Sequence, residues 1–178
     1  MIAGVDEVGR GCLAGPVIAA SVILKRPIEG LMDSKKLSSK KREDLSKVII
    51  DNSIFSIGVA DNQEIDQINI LQASLLAMQR SLEKLDVKPK KVLVDGAHIF
   101  KTPIEIESIV GGDNLIPSIS AASIVAKVYR DRLMMTYSKE FPNYGFDKHK
   151  GYPTKLHKEM LKRYGLTRIH RRTFKGVN

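Results

Sequence analysis

Two apolar, strand-like segments lie so close together near the N-terminus that they can pair in only one direction. Met1 to Val5 is short and β-compatible, and Pro16 to Leu24 (PVIAASVIL) is a longer run rich in β-branched residues. Ten residues separate them. A parallel pair needs a crossover of a dozen or more, so the two strands must run antiparallel. Ser53 to Ala60 (SIFSIGVA) supplies a third strand, reached through DSKKLSSKKREDLSKVIIDN, where Ser38 or Ser39 can cap a short charged helix.

At Asp61 the period changes. Asp61 followed by Glu64 is a capping-box pattern, and Ile65, Ile68, Leu71, Leu75, Met78, Leu82 and Leu85 recur at helical spacing. Beyond Lys88-Pro89, Lys91 to Asp95 (KVLVD) and Ile104 to Val110 are predicted strands. Pro117-Ser118 open a second long helix that Pro142 ends, with Ile119, Ala122, Val125 and Val128 on one side. A Gly/Tyr/Pro-rich loop from Asn143 to Pro153 follows, then a helix from about Thr154 to Tyr164 and an irregular basic end. This order predicts an α/β protein with a mixed five-stranded sheet, three antiparallel strands first and parallel ones after, flanked by helices: the plan of the ribonuclease H-like fold. Residues 1–140 are expected to form the catalytic domain. Residues 141–178 would form a small basic helical extension that packs on it and contacts substrate.

A chain of 178 residues with 43% apolar and 28% charged residues suits one self-sufficient core and excludes a disordered or fibrous protein. Cys12 is the one cysteine, so neither a disulfide nor a cysteine-rich zinc site is available, and a cytoplasmic location is expected. The uncharged stretch Gly11 to Leu24 is too short to span a bilayer. The acids Asp6 and Glu7 ahead of it are wrong for a secretory leader, so no membrane association is expected.

Lys and Arg exceed Asp and Glu by 29 to 20, and the excess is concentrated. Residues 141–178 hold ten of the basic residues against only Asp147 and Glu159, with aromatics interleaved. Such a segment suits a polyanion, because neutralising phosphates releases condensed counterions.

Within this basic chain, Asp6 and Glu7 close the first strand, Asp95 closes KVLVD, and Asp113 lies in the turn after the strand ending at Val110. If the first and fourth strands are parallel neighbours, these carboxylates share one edge of the sheet. Each alone fits an ordinary turn or a solvated strand end. Together they are tolerable chiefly around divalent cations, and hard oxygen ligands select Mg2+ or Mn2+. Two such ions would serve phosphodiester hydrolysis.

Gly9-Arg10-Gly11 follows the acidic pair. With Cys12, Leu13 and Ala14 it formally matches a dinucleotide fingerprint, and Asp33 falls where a ribose-binding acid would. That fingerprint must open onto a helix, yet Pro16 leads into a β-branched run. A P-loop fails as well, since no Lys-Ser/Thr follows. The glycines better serve close backbone approach to a sugar hydroxyl, and reading a 2′-OH distinguishes RNA from DNA.

The blocks GVDEVGRGCLAGPVIAASVIL, DSKKLSSKKRE, VLVDG, SISAASIVAKVYRDRLM, YGFDKHKGYPTKLH and IHRRTF together resemble the bacterial ribonuclease HII family from about residue 3 to 174. The resemblance implies an endonuclease that cuts the RNA strand of RNA/DNA hybrids and cuts at single ribonucleotides embedded in duplex DNA, leaving 5′-phosphate and 3′-hydroxyl ends. It implies Asp6, Glu7, Asp95 and Asp113 as catalytic metal ligands for two Mg2+ or Mn2+ ions. It further implies Gly9, Arg10 and Gly11 as the loop that senses the 2′-OH, Tyr152 as the aromatic packing on the adjoining deoxyribose, and Lys35, Lys36, Ser123 and Lys127 as phosphate contacts. A monomer is expected.

Departures from the family pattern are Cys12, where Pro is common and whose presence is expected to loosen the loop, and Leu166 and Arg168, which replace prolines and leave the path of the tail open. The ribonuclease HIII type has a Lys in the glycine loop and an N-terminal extension, so Arg10 and the start at the strand favour HII. His149, His157 and His170 are taken as substrate-facing or polar tail residues, not as metal ligands. The competing assignment is a non-catalytic hybrid-binding module, which would need the basic tail but no converging carboxylates.

Overall fold

A computed structural model describes residues 1–31 and 37–177; Asp33, Lys35 and Lys36 lie outside the described residues. Five strands, β1 (Ile2–Val8), β2 (Val17–Leu24), β3 (Ser53–Ala60), β4 (Lys91–Asp95) and β5 (Glu105–Ile109), form one sheet in the order β3-β2-β1-β4-β5. β1, β2 and β3 pair antiparallel, whereas β4 joins β1 and β5 joins β4 in parallel. The predicted mixed sheet is therefore present, with its antiparallel half first.

The helices are α1 (Ser39–Asp51), α2 (Asn62–Glu83), α3 (Pro117–Glu140), the single turn α4 (Phe146–His149) and α5 (Lys155–Tyr164). Ser38 caps α1 by accepting the Lys41 N–H. The Asp61–Glu64 capping box forms, and Arg80 clasps Glu64 with two bonds of 2.7 and 2.9 Å while donating to the Val59 carbonyl. The start of α2 is thereby tied to the end of β3.

α2 covers one face of the sheet, where Ala73, Ala77 and Met78 meet Ala3, Val5 and Ala19. α1 and α3 cover the other, where Ile49, Ile124 and Val125 meet Ile18, Ala20 and Val22. Both sets of β2 side chains are buried, which is why that strand is apolar without alternation. α2 departs from the single amphipathic stripe. Asn69 sits at φ 66°, and its side-chain oxygen accepts the Gln72 N–H as a second cap inside the helix. The break shifts the buried face, so Ile68 is exposed while Ala73 and Ala77 are inside.

The C-terminal segment belongs to a third core cluster. Leu13, Ala14 and Met134 pack with Tyr144, Phe146, Leu161, Ile169 and Val177. Tyr144 and Phe146, counted above among aromatics suited to a polyanion, are buried and stacked at 5.5 Å. The expectation for the three histidines is corrected in the same way. His149, His157 and His170 are buried and bonded into one network, because stacking and backbone carbonyls satisfy them better than solvent at this packed junction. The path of the tail is fixed without the prolines: Arg168 pairs with Glu140 at 2.7 and 2.8 Å and lies over Tyr137. Among the described residues no helix is long and apolar enough to cross a membrane.

Candidate active site

The parallel pairing of β1 with β4 builds the site. Their register ends with Val5 opposite Val94, and the next residue of each strand is an acid, Asp6 and Asp95. β5 runs beside β4 and leads into the 3-10 turn Gly112–Asn114, where the Asp113 N–H donates to Asp95 Oδ1 at 3.2 Å. Four predicted carboxylates thus come from three segments to one end of the sheet. α3 packs against β1, and its Ser123 hydroxyl favours the ionised form of Asp6.

Asp6 is 5% exposed, and its carboxyl is held well above the usual carboxylate range by burial first, then by the charges of Glu7 and Asp95. Burial raises Glu7 too, against the pull of Arg10, whose guanidinium lies 3.2 Å from Oε1. The other oxygen of Glu7, Oε2, is buried and has no hydrogen-bond partner among the described residues. Such an atom is costly unless something else satisfies it.

A divalent cation fits these observations. The donors are hard oxygens, two carboxyls carry the electrostatic penalty of crowding, and one buried oxygen is orphaned. Among the described residues, no three His, Cys, Asp or Glu side chains already stand grouped to hold a metal. The local bonds account for this. Repelling carboxylates turn to protein donors: Asp6 to the Glu7 N–H, Glu7 to Arg10, Asp95 to the Asp113 N–H, Asp113 to Asn114.

The glycine loop lies directly after the acids, and its two glycines differ. Gly9 has φ +95°, and a Cβ there would run into the Arg130 guanidinium of α3. Gly11 is exposed, with open space where its Cβ would stand. Close approach by a sugar is therefore available at Gly11, whereas Gly9 is a glycine because Arg130 occupies the space.

Tyr152 stands beside this loop. Leu13 N–H donates to the Gly151 carbonyl at 2.8 Å, and the buried Cys12 thiol donates to the Lys150 carbonyl at 3.8 Å. Cys12 therefore does not loosen the loop as expected; its thiol, pushed up by burial, fills the joint between the two segments. Tyr152 remains 37% exposed, with Lys127 and Arg130 at 5.8 and 6.0 Å from its ring. Lys127 is also paired with Asp131 at 2.7 Å.

Sequence reasoning missed two buried cations. Arg130 donates to the carbonyls of Pro16, Ala14 and Lys150, and Arg171 to those of Gly15, Arg10 and Gly9. The only signal was indirect: a glycine at position 9 that leaves room for one of them.

A mixed sheet in this strand order, with helices on both faces, defines the ribonuclease H-like α/β class. Solved structures of that class superimpose on the chain. The ribonuclease H2 of Pyrococcus horikoshii OT3 does so with a TM-score of 0.82 at 30% identity, covering 99% of this chain and 94% of the other. The RNase HII of Archaeoglobus fulgidus, solved in a complex with PCNA, gives 0.81 at 25% identity, over 97% and 93% of the two chains. The sequence matches the family description Ribonuclease HII over residues 3–177. Curated relatives of that name are 55% identical in Coxiella burnetii, over 99% of this chain and 89% of the relative, and 52% identical in Borrelia hermsii, over 99% and 100%. The chain belongs to the ribonuclease HII family, whose membership carries ribonuclease H endonuclease activity.

Proposed function

We propose that this endonuclease cuts the RNA strand of RNA/DNA hybrids and cuts at single ribonucleotides in duplex DNA, leaving 5′-phosphate and 3′-hydroxyl ends. Asp6, Glu7, Asp95 and Asp113 are the residues that would hold two Mg2+ or Mn2+ ions. When bound, such ions supply a water activated at neutral pH and neutralise charge on the leaving oxygen. The observation that carries this reading is the buried, unpartnered Glu7 Oε2 beside an Asp6 whose ionised form is penalised by Glu7 and Asp95.

The remaining residues bind and orient. The Gly9–Gly11 loop offers backbone groups to the 2′-hydroxyl, and Tyr152 presents its exposed face to the neighbouring deoxyribose. Ser123, beside Asp6, and Lys127, beside Tyr152, stand where a phosphate would pass. Lys35 and Lys36 remain proposed phosphate contacts. Residues 1–140 act as the catalytic domain, and exposed cations of residues 141–178 track the nucleic-acid backbone. We further propose that the enzyme works as a cytoplasmic monomer.

The test is a DNA duplex bearing one ribonucleotide, incubated with Mg2+, Mn2+ or EDTA beside an all-DNA control. The expected result is metal-dependent scission confined to the ribonucleotide. Scission in EDTA would overturn the metal assignment. Tight binding of hybrids without scission under any condition would leave the non-catalytic binding module instead.

A further inference from the structure

Arg171 was counted with the tail's phosphate contacts, yet its side chain is fully buried. It is fastened from both ends. Its own N–H donates to the Leu13 carbonyl at 2.9 Å, the Gly15 N–H donates to the Ile169 carbonyl at 2.8 Å, and Asp66 of α2 accepts the N–H groups of Arg172 and Thr173. From this fixed backbone the guanidinium reaches under the glycine loop. Nε donates to Gly15 at 2.9 Å, Nη1 to Arg10 at 2.8 Å and Nη2 to Gly9 at 2.6 Å, all carbonyl oxygens. Burial lowers its pKa to about 10, so it stays a cation at neutral pH and all three donors persist.

The consequence follows from peptide geometry. In a planar trans peptide the C=O and the following N–H point to opposite sides, and no cis bond occurs among the described residues. With the Gly9 and Arg10 carbonyls drawn inward, the N–H groups of Arg10 and Gly11 must point outward. Both residues are exposed, and at Gly11 no side chain stands in the way. Two adjacent outward N–H groups form a small concave donor pair suited to an oxygen carrying negative charge or a lone pair.

We propose that Arg171 is a positioning residue for sugar recognition, fixing the two glycine-loop peptides so that the Arg10 and Gly11 N–H groups aim together at the ribose 2′-oxygen. This rests on the ribonucleotide reading above and names the part of the loop that performs it. An ammonium cannot span three carbonyls as the planar fork does, so Arg171→Lys keeps the charge and loses the alignment.

The experiment compares wild type and Arg171→Lys for binding, in EDTA, to a duplex with one ribonucleotide and to the same duplex in all-DNA form. Losing one aligned hydrogen bond lowers the preference for the ribonucleotide duplex about tenfold, with all-DNA affinity unchanged. An unchanged preference in a folded Arg171→Lys protein overturns the proposal. Where that variant does not fold, amide hydrogen exchange on the wild type decides. Slowed exchange at Arg10 and Gly11 with the ribonucleotide duplex, but not with all-DNA, supports the proposal, and equal exchange overturns it. Failure of the wild type to cut the ribonucleotide duplex in Mg2+ or Mn2+ is a different result, since it removes the functional reading itself.

Discussion

Lowering the pH from 7 to 5 should cost the fold roughly 3.5 kcal/mol through a buried histidine network that refuses the protons the unfolded chain takes up. The protons of the network can be assigned from partners. The Thr167 N–H donates to His170 Nδ1, so the proton of His170 is on Nε2. That Nε2 lies 3.1 Å from His157 Nε2, which must accept, leaving the His157 proton on Nδ1 to donate to the Tyr152 carbonyl at 2.9 Å. His149 accepts the Gly151 N–H on Nδ1 and donates from Nε2 to the Tyr144 carbonyl. All three rings are neutral, and a further proton on any of them would face an existing donor. Burial accordingly pulls His157 and His170 down to about 4, and His149 downward as well.

These are lowered pKa values on bases, so the unfolded chain binds protons that the native state refuses. Stability is full above the unfolded value of 6.5 and falls as the pH drops from there toward 4. At pH 5 the native rings are still neutral, and only the unfolded imidazoles have titrated. The two contributions therefore add despite the contact between the rings, at about 1.8 kcal/mol each and roughly 3.5 kcal/mol together relative to pH 7. Asp6 and Glu7, with raised values, act in the opposite direction, so the network's share is the difference between proteins. Urea unfolding of wild type and of His157→Gln/His170→Gln at both pH values measures it. A variant whose stability drops as much as the wild type's between pH 7 and 5 would refute the neutral-network assignment.

Asp6→Asn or Asp95→Asn should abolish scission while leaving hybrid binding, and metal-free Asp6→Asn should melt higher than wild type because a penalised buried carboxylate is gone; retained turnover in either variant refutes the catalytic role. Gly9→Ala should lose about 2 kcal/mol or more of stability from the clash with Arg130 and the left-handed backbone, whereas Gly11→Ala should keep the melting temperature and lose activity on a single ribonucleotide. Equal melting losses in the two would sink the distinction. Replacing the exposed Lys155, Lys158 and Lys162 of α5 by Gln should weaken hybrid binding and flatten its salt dependence by about one unit of slope for each true phosphate contact. A salt slope identical to wild type would remove α5 from the nucleic-acid path.

Much of the fold was written plainly in the chain. The short gap between β1 and β2 forced antiparallel pairing, and the acids at the ends of β1 and β4 became neighbours once those strands were parallel. In α2 the helical spacing placed Met78 and Leu82 in the core correctly and failed at Ile68, which is exposed beside the break at Asn69. A side-chain cap at a positive-φ residue is a feature that no periodicity reports. Charge counting misread Arg171, because it treats every Lys and Arg as solvated and this one is buried beneath the glycine loop, whereas Arg168 stays exposed and pairs with Glu140.

That last error has a general physical origin. A buried guanidinium answered by a carboxylate leaves an Asp or Glu in the sequence as its trace. Arg130 and Arg171 are answered by six backbone carbonyls, and every residue type supplies one. Nothing in the identity of Ala14, Gly15 or Lys150 announces the bond. What remains visible is space: Gly9 must lack a side chain for Arg130 to lie across it, and a Cβ at Gly15 would strike Met134 and crowd the same arginine. A loop in which some glycines are dictated by buried arginines and another, Gly11, meets nothing at all separates two roles that the string Gly-Arg-Gly presents as one.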